Sequence, residues 1–159
     1  VISEMLTGGK SSRLYRALVL ERKIASSISA WNGAPGSRYD NLFILFAAPR
    51  PPHTPEELER AVYEEMDRFF GDVSEAELGK VVNGIESAMV FELETNKGIA
   101  GLLSYYQTLY GDWRYAADYL AMIKKVTIRD VKAMKEKYFS ESNRTVGILL
   151  DSRAAGGKK

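Results

Sequence analysis

The chain has 159 residues, the size of one ordinary domain, and 45% of them are hydrophobic, enough for a sizeable core. With 22 basic against 21 acidic residues, the net charge of +1 gives no electrostatic reason to expect nucleic acid or an anionic membrane surface as partner. The lack of cysteine excludes disulfides, thiolate zinc sites and cysteine nucleophiles, and no apolar run reaches the roughly 18 residues of a membrane span.

The opening "VISEML" reads as the middle of a helix, as in a piece of a longer polypeptide, and Gly8-Gly9 stops it. Residues 11–22 read as a second helix with Leu14, Ala17 and Leu18 inward and Arg13, Arg16 and Arg22 turned to water or to a partner. The period then changes. "IASSISAWNG" sets Ile24, Ser26 and Ile28 against Ala25, Ser27 and Ser29, which suits a strand. A Pro-Gly loop leads into "NLFILFAAP", an apolar run of strand length that reads as a central strand. Thr54, Pro55 and Glu57 then spell a helix start with a capping box. Leu58, Val62, Met66 and Phe69 form the apolar stripe of that helix. Ser74 and Glu77 repeat the box before a long helix with Leu78, Val81, Val82, Ile85 and Met89 inside. Another helix ends at Gly111, Asp112 caps a short one, and Thr127 caps the last, with Val131, Met134 and Tyr138 inward. "RTVGILLD" reads as a closing strand. A hairpin, a helical run and a final strand indicate an α+β layer rather than a doubly wound parallel sheet.

The chemistry these residues offer is sparse. A zinc site usually takes three protein ligands, and the single histidine, His53, lies in a Pro-rich linker. Neither H-E-x-x-H nor H-x-x-E-H occurs, and no G-x-S-x-G elbow accompanies His53. "GGKSS" lacks the first glycine of a phosphate loop. Glu56-Glu57 and Glu64-Glu65 sit on polar helix faces, where solvated charge is the default reading. "YYQTLYGDWRY" suits packing between helices better than a ligand platform. The residues by themselves describe a non-catalytic α+β domain.

"GGKSSRLYRALVLERKIASSISAW" resembles a stretch of the M16 metallopeptidase family, which includes pitrilysin, insulin-degrading enzyme and mitochondrial processing peptidase. The family stretch has the form G-G-x-S-S-R-L-[FY]-x-x-L-R-E-x-x-G-L-A-Y-S-V-S-A. Gly8, Gly9, Ser11, Ser12, Arg13, Leu14, Tyr15, Leu18, Ala25, Ser27, Ser29 and Ala30 fit it in register. "SEAELGKVVNGIESAMV", "YGDWRY" and "VTIRDVKAMKEKYFSESNRTVGILLD" add to the likeness. The resemblance implies a LuxS/M16 metallohydrolase-like domain over residues 1–151: a mainly antiparallel sheet covered by helices, without its first strand, followed by a flexible tail at 152–159.

In such proteins, the resemblance implies, homologous domains enclose a chamber. An N-terminal domain holds zinc through H-x-x-E-H. A C-terminal domain directs an Arg and a Tyr at the peptide, an Arg fork for a carbonyl and a hydroxyl for the oxyanion. Here those two positions are Val19 and Ser26, seven apart. The family's corner glycine is replaced by Lys23, which implies a changed backbone path or a less tight corner. No catalytic residue and no metal ligand is therefore expected in this chain. Arg22, Lys23 and Ser26 remain as candidate contacts to substrate or partner. The implied partners are a homologous domain bearing H-x-x-E-H and zinc, upstream or on a second subunit, and a peptide substrate. The chain by itself is not an enzyme on this reading, but part of a zinc metalloendopeptidase, with the bacterial periplasm favoured over the cytoplasm. Two other readings are a scaffold subunit like the core proteins of the respiratory bc1 complex, and a peptide-binding module.

Overall fold

The computed structural model describes residues 1–150. The short helix α1 (Ile2–Thr7) leads through Gly8-Gly9 to a π-helix at Tyr15–Glu21. Strands β1 (Ala25–Ala34) and β2 (Leu42–Pro49) form an antiparallel pair. Helices α2 (Pro55–Asp72), α3 (Glu75–Leu93), α4 (Asn96–Tyr110), α5 (Tyr115–Ile123) and α6 (Ile128–Tyr138) follow, then a 3-10 turn at Glu141–Asn143.

Cap chemistry sets the helix starts. Thr54, Ser74 and Thr127 each accept a backbone N–H from three residues on. Glu57, Glu77 and Asp130 return the bond to the cap's own N–H, so two orphan donors are satisfied at each start. Thr95 caps α4, and Gly111 ends it at φ 74, a left-handed value that glycine adopts freely. Asp112 accepts from the Arg114 N–H at 2.9 Å, but the cap position of α5 itself is Arg114.

The core lies where α1, the π-helix, α2 and α6 meet one face of the hairpin. Leu6, Leu14, Leu18, Phe69 and Val131 are its largest fully buried side chains. Phe43, Leu45 and Ala47 of β2 pack against it, and Phe43 meets Phe139 edge-on at 5.0 Å. The arm made by α3, α4 and α5 contributes less. Leu78 is the buried residue of α3, while Val81 and Val82 pack only partly. Tyr138, expected inward on α6, is half exposed.

The α+β class stands, with several corrections to the elements. The expected helix over 11–22 is a π-helix through its second half. The Arg22 N–H donates to the Ala17 carbonyl at 2.9 Å, a five-residue step. The apolar run of β2 is not a central strand among the described residues, because β1 is its one ladder partner. The expected sheet is therefore a small two-stranded one. Residues 144–150 form no strand: an apolar pattern needs a neighbour for its N–H and C=O groups, and none lies beside it. Asp151 and the expected tail fall outside the described residues.

Candidate functional site

The corner between the π-helix and β1 carries the positions of interest, and its support is built from the motif upward. Ser12 is buried and donates to the Gly9 carbonyl at 2.6 Å, closing the turn after α1. Of the two directions open to Arg13, water or a partner, the side chain takes a partner within its own chain. Its guanidinium reaches the start of α3, with Nη2 2.7 Å from Glu77 Oε2 and 3.1 Å from Asp72 Oδ1, while Nε donates to Glu77 Oε1. This two-point fork is the geometry a guanidinium favours with carboxylate. Hydrogen bonding from Arg13, aided by Ser74, holds the Glu77 carboxyl below its usual range. The same contact raises Arg13.

Val19, where the resemblance sets an Arg, lies in the core at 6% exposure. The π-helix explains this. Its wider turn brings a residue five positions on to the same face, so Val19 joins Leu14 and Leu18 inside, while Leu20 is turned out. Arg22 folds back along α2 and donates to Glu64 Oε2 at 3.1 Å and Glu65 Oε1 at 3.3 Å. It borders a groove of about 530 Å³ with Ile24, His53, Glu57, Arg60 and Glu64. In that groove His53 Nδ1 lies 3.1 Å from Glu57 Oε2. The Glu57 carboxyl is held below its usual range, first by the Thr54 N–H and then by His53.

Lys23 stands at the corner where the resemblance sets a glycine. Its φ is +53°, a left-handed value that non-glycine residues seldom adopt. The Ile24 N–H closes on the Leu18 carbonyl and the Arg50 N–H on the Ile24 carbonyl, both at 2.9 Å, so the corner is pinned on both sides. That pinning holds Lys23 in a conformation costing an L-residue roughly 1–2 kcal/mol.

Ser26, where the resemblance sets a Tyr, is the extra residue of a β-bulge. Ala25 pairs with Pro49 and Ser27 with Ala48, leaving Ser26 between them. The bulge breaks the simple alternation read from the sequence: Ser26 and Ser27 are both exposed, whereas Ala25 and Ile28 are buried. The Ser26 hydroxyl donates to the Ala48 carbonyl at 3.1 Å, so it is engaged by its own hairpin. Of the three candidate contacts, Arg22 lies in the α2 groove, Lys23 on the corner, and Ser26 on the exposed bulge.

The donors present do not fit zinc. Among the described residues no three His, Cys, Asp or Glu side chains are grouped as a metal site requires. No helix among them is long and apolar enough to cross a membrane.

The tyrosine-rich stretch knits α4 to α5. Tyr110 stacks on Tyr115 at 4.7 Å, and buried Tyr106 stacks on Tyr110 at 5.9 Å. Burial among neighbouring phenols pushes the Tyr106 hydroxyl up to about 12.

Residues 1–85 match the family model described as Peptidase M16 inactive domain. The chain belongs to this family. It is 24% identical over 149 residues to the zinc protease PqqE of Helicobacter pylori, covering 93% of the chain and 33% of that protein. It is 26% identical over 158 residues to an uncharacterized zinc protease of Streptomyces coelicolor, covering 98% of the chain and 34% of that protein. The chain thus spans about a third of the curated relatives it matches. Its fold superposes with a TM-score of 0.78 on the crystal structure of an inactive peptidase domain from Bordetella parapertussis. That match has 22% identity and covers 94% of this chain and 80% of that one. The chain is an inactive M16 domain of zinc protease-like proteins, as the corner motif implied.

The signals that sequence reasoning missed are the π-turn, the bulge at Ser26, and the exposure of Leu20 and of the outer hairpin face. Only the last left a trace: no charged residue occurs between Lys23 and Arg38 or between Asp40 and Arg50.

Proposed function

We propose that this domain forms the non-catalytic wall of a proteolytic chamber, facing a homologous domain that bears zinc on H-x-x-E-H, in the same polypeptide or on a second subunit. The observation that carries this reading is the corner. A left-handed turn at Lys23 leads into the strand, with Val19 in the core and a hydrogen-bonded Ser26 on the bulge. Loss of one oxyanion donor costs an enzyme roughly 10²–10³ in rate, so a wall without both groups leaves the chemistry to its partner. What it retains is shape: a rigid corner, a hairpin and a helical covering that can enclose a peptide and exclude water.

The test is reconstitution. The chain is mixed with an M16 domain bearing H-x-x-E-H, and co-elution and cleavage of a fluorogenic peptide are followed. The reading expects a complex whose cleavage exceeds that of the zinc-bearing domain alone. Absence of a complex with any partner encoded beside or upstream of the chain contradicts it.

A further inference from the structure

Two asparagines of the chain are followed by glycine, Asn32 and Asn83. Such a pair carries a reaction of its own, because glycine has no side chain to keep its nitrogen from the asparagine carboxamide. The two pairs sit in opposite surroundings. Asn83 and Gly84 lie inside α3, where each backbone N–H is bound to the carbonyl four residues back. The Ser87 hydroxyl also donates to the Asn83 carbonyl at 2.9 Å, across the next turn. Asn32 and Gly33 lie near the loop end of β1, and Asn32 is exposed. Asn32 pairs with Phe43 and Ala34 with Leu42, so the ladder skips Gly33.

The fold requires this glycine. Its φ is +102°, and a Cβ there would stand 2.9 Å from the Ser37 hydroxyl oxygen. Only the pair of Ala34 with Leu42 separates it from the loop over residues 35–41. Opening at the end of an element costs little free energy, whereas opening inside a packed one costs much more.

We propose that Asn32–Gly33 is a site of spontaneous deamidation and isomerisation in the folded chain, while Asn83–Gly84 is protected by its helix. The Gly33 amide nitrogen attacks the side-chain carbonyl carbon of Asn32 and gives up its proton to water. The adduct expels the side-chain nitrogen as ammonia, which leaves a succinimide ring. Water then opens the ring at either carbonyl. One opening yields an aspartyl residue. The other yields an isoaspartyl residue, in which the main chain runs through the β-carbon. Overall one water is consumed and one ammonia released, with no oxidant or reductant.

Either product puts a carboxylate where no charge occurs between Lys23 and Arg38. The isoaspartyl product also lengthens the main chain by one atom ahead of Gly33, which disturbs the register of Asn32 on Phe43. Phe43 is partly buried against the core and meets Phe139 edge-on at 5.0 Å. The modified hairpin therefore holds this edge of the core less well. None of this depends on the chamber-wall reading.

The 159-residue chain is aged in mildly alkaline buffer, folded and in urea, then digested with trypsin beside an unaged sample that sets the zero. Cleavage after Lys23 and Arg38 isolates Asn32 in residues 24–38, and cleavage after Lys80 and Lys97 isolates Asn83 in residues 81–97. Isoaspartate in each peptide is read by enzymatic methylation and mass spectrometry. The folded chain is expected to gain isoaspartate at Asn32 at least tenfold faster than at Asn83, and the two rates to converge in urea. The urea midpoint of the aged folded chain is expected to fall. That of Asn32→Gln aged alongside stays where it began, since the longer side chain closes its ring far more slowly. Equal rates at the two sites in the folded chain overturn the proposal. So does isoaspartate that forms at Asn32 only in urea, since the strand then protects it as the helix protects Asn83. An unchanged midpoint in a chain converted at Asn32 overturns the consequence drawn for Phe43.

Discussion

On the helical side of Lys23 the chain buries Val19 in its core; on the strand side it leaves Ser26 at the surface. Val19 sits among Leu14 and Leu18, where the π-turn has rotated it. Ser26 stands on an exposed bulge with its hydroxyl turned back to Ala48. The contrast separates two ways of losing a working group. At Ser26 the position stays exposed, so a longer side chain there has room. At Val19 the surrounding packing has closed over the position, so the side chain alone no longer restores it.

That contrast can be broken most directly at Val19. Replacing Val19 with Arg places a charge inside a closed core and is expected to lower stability by roughly 3 kcal/mol in urea unfolding. A loss below about 1 kcal/mol would show that the π-helix readily turns the position outward.

Arg13 tests how the helical side is held. Arg13→Ala removes the fork onto Glu77 and Asp72 and is expected to cost about 1–2 kcal/mol, reduced from a buried value because Glu77 is partly solvated. The pH dependence follows in sign. The Glu77 carboxyl is lowered from 4.5 in the folded chain. Its contribution is complete above the unfolded value and is lost as pH falls through the lower folded one. The parent therefore loses more stability than Arg13→Ala on acidification below about pH 4.5. Parallel acid limbs in the two proteins contradict the fork.

Lys23→Gly relaxes the left-handed corner without touching either side. A gain of roughly 0.5–1 kcal/mol is expected, the strain relieved less the entropy that glycine adds to the unfolded chain. Destabilisation would show that the lysine side chain makes a contact worth more than the strain. Ser26→Tyr is the smallest effect. On an exposed bulge it should change stability by no more than about 0.5 kcal/mol in either direction, and a large loss would show that the Ser26 hydrogen bond holds the bulge.

Much of the fold was legible because its signals are local. Thr54 with Glu57, Ser74 with Glu77 and Thr127 each state a helix start in four residues, since the cap bonds lie within the first turn. Gly111 ends a helix by the same local logic. The π-turn was not legible, because the turn through Leu14, Leu18 and Val19 is widened by closing a corner whose other half, Arg50 against Ile24, lies beyond an intervening hairpin. The bulge at Ser26 depends on the register with Ala48 and Pro49, which no local pattern encodes. Residues 144–150 show the opposite failure: their β-like composition is real, but a strand is a property of two segments. For the site, the motif from Gly8 to Ala30 identified the family. Arg13's role was hidden, because a helical arginine looks solvent-facing until α3 brings Glu77 against it.

The central claim is that the chain builds a wall and leaves hydrolysis to a partner. It is tested by incubating the purified 159-residue chain with zinc and a set of fluorogenic peptides, with and without a chelator. The account predicts no cleavage above the buffer rate in either condition; zinc-dependent cleavage that the chelator abolishes would contradict it.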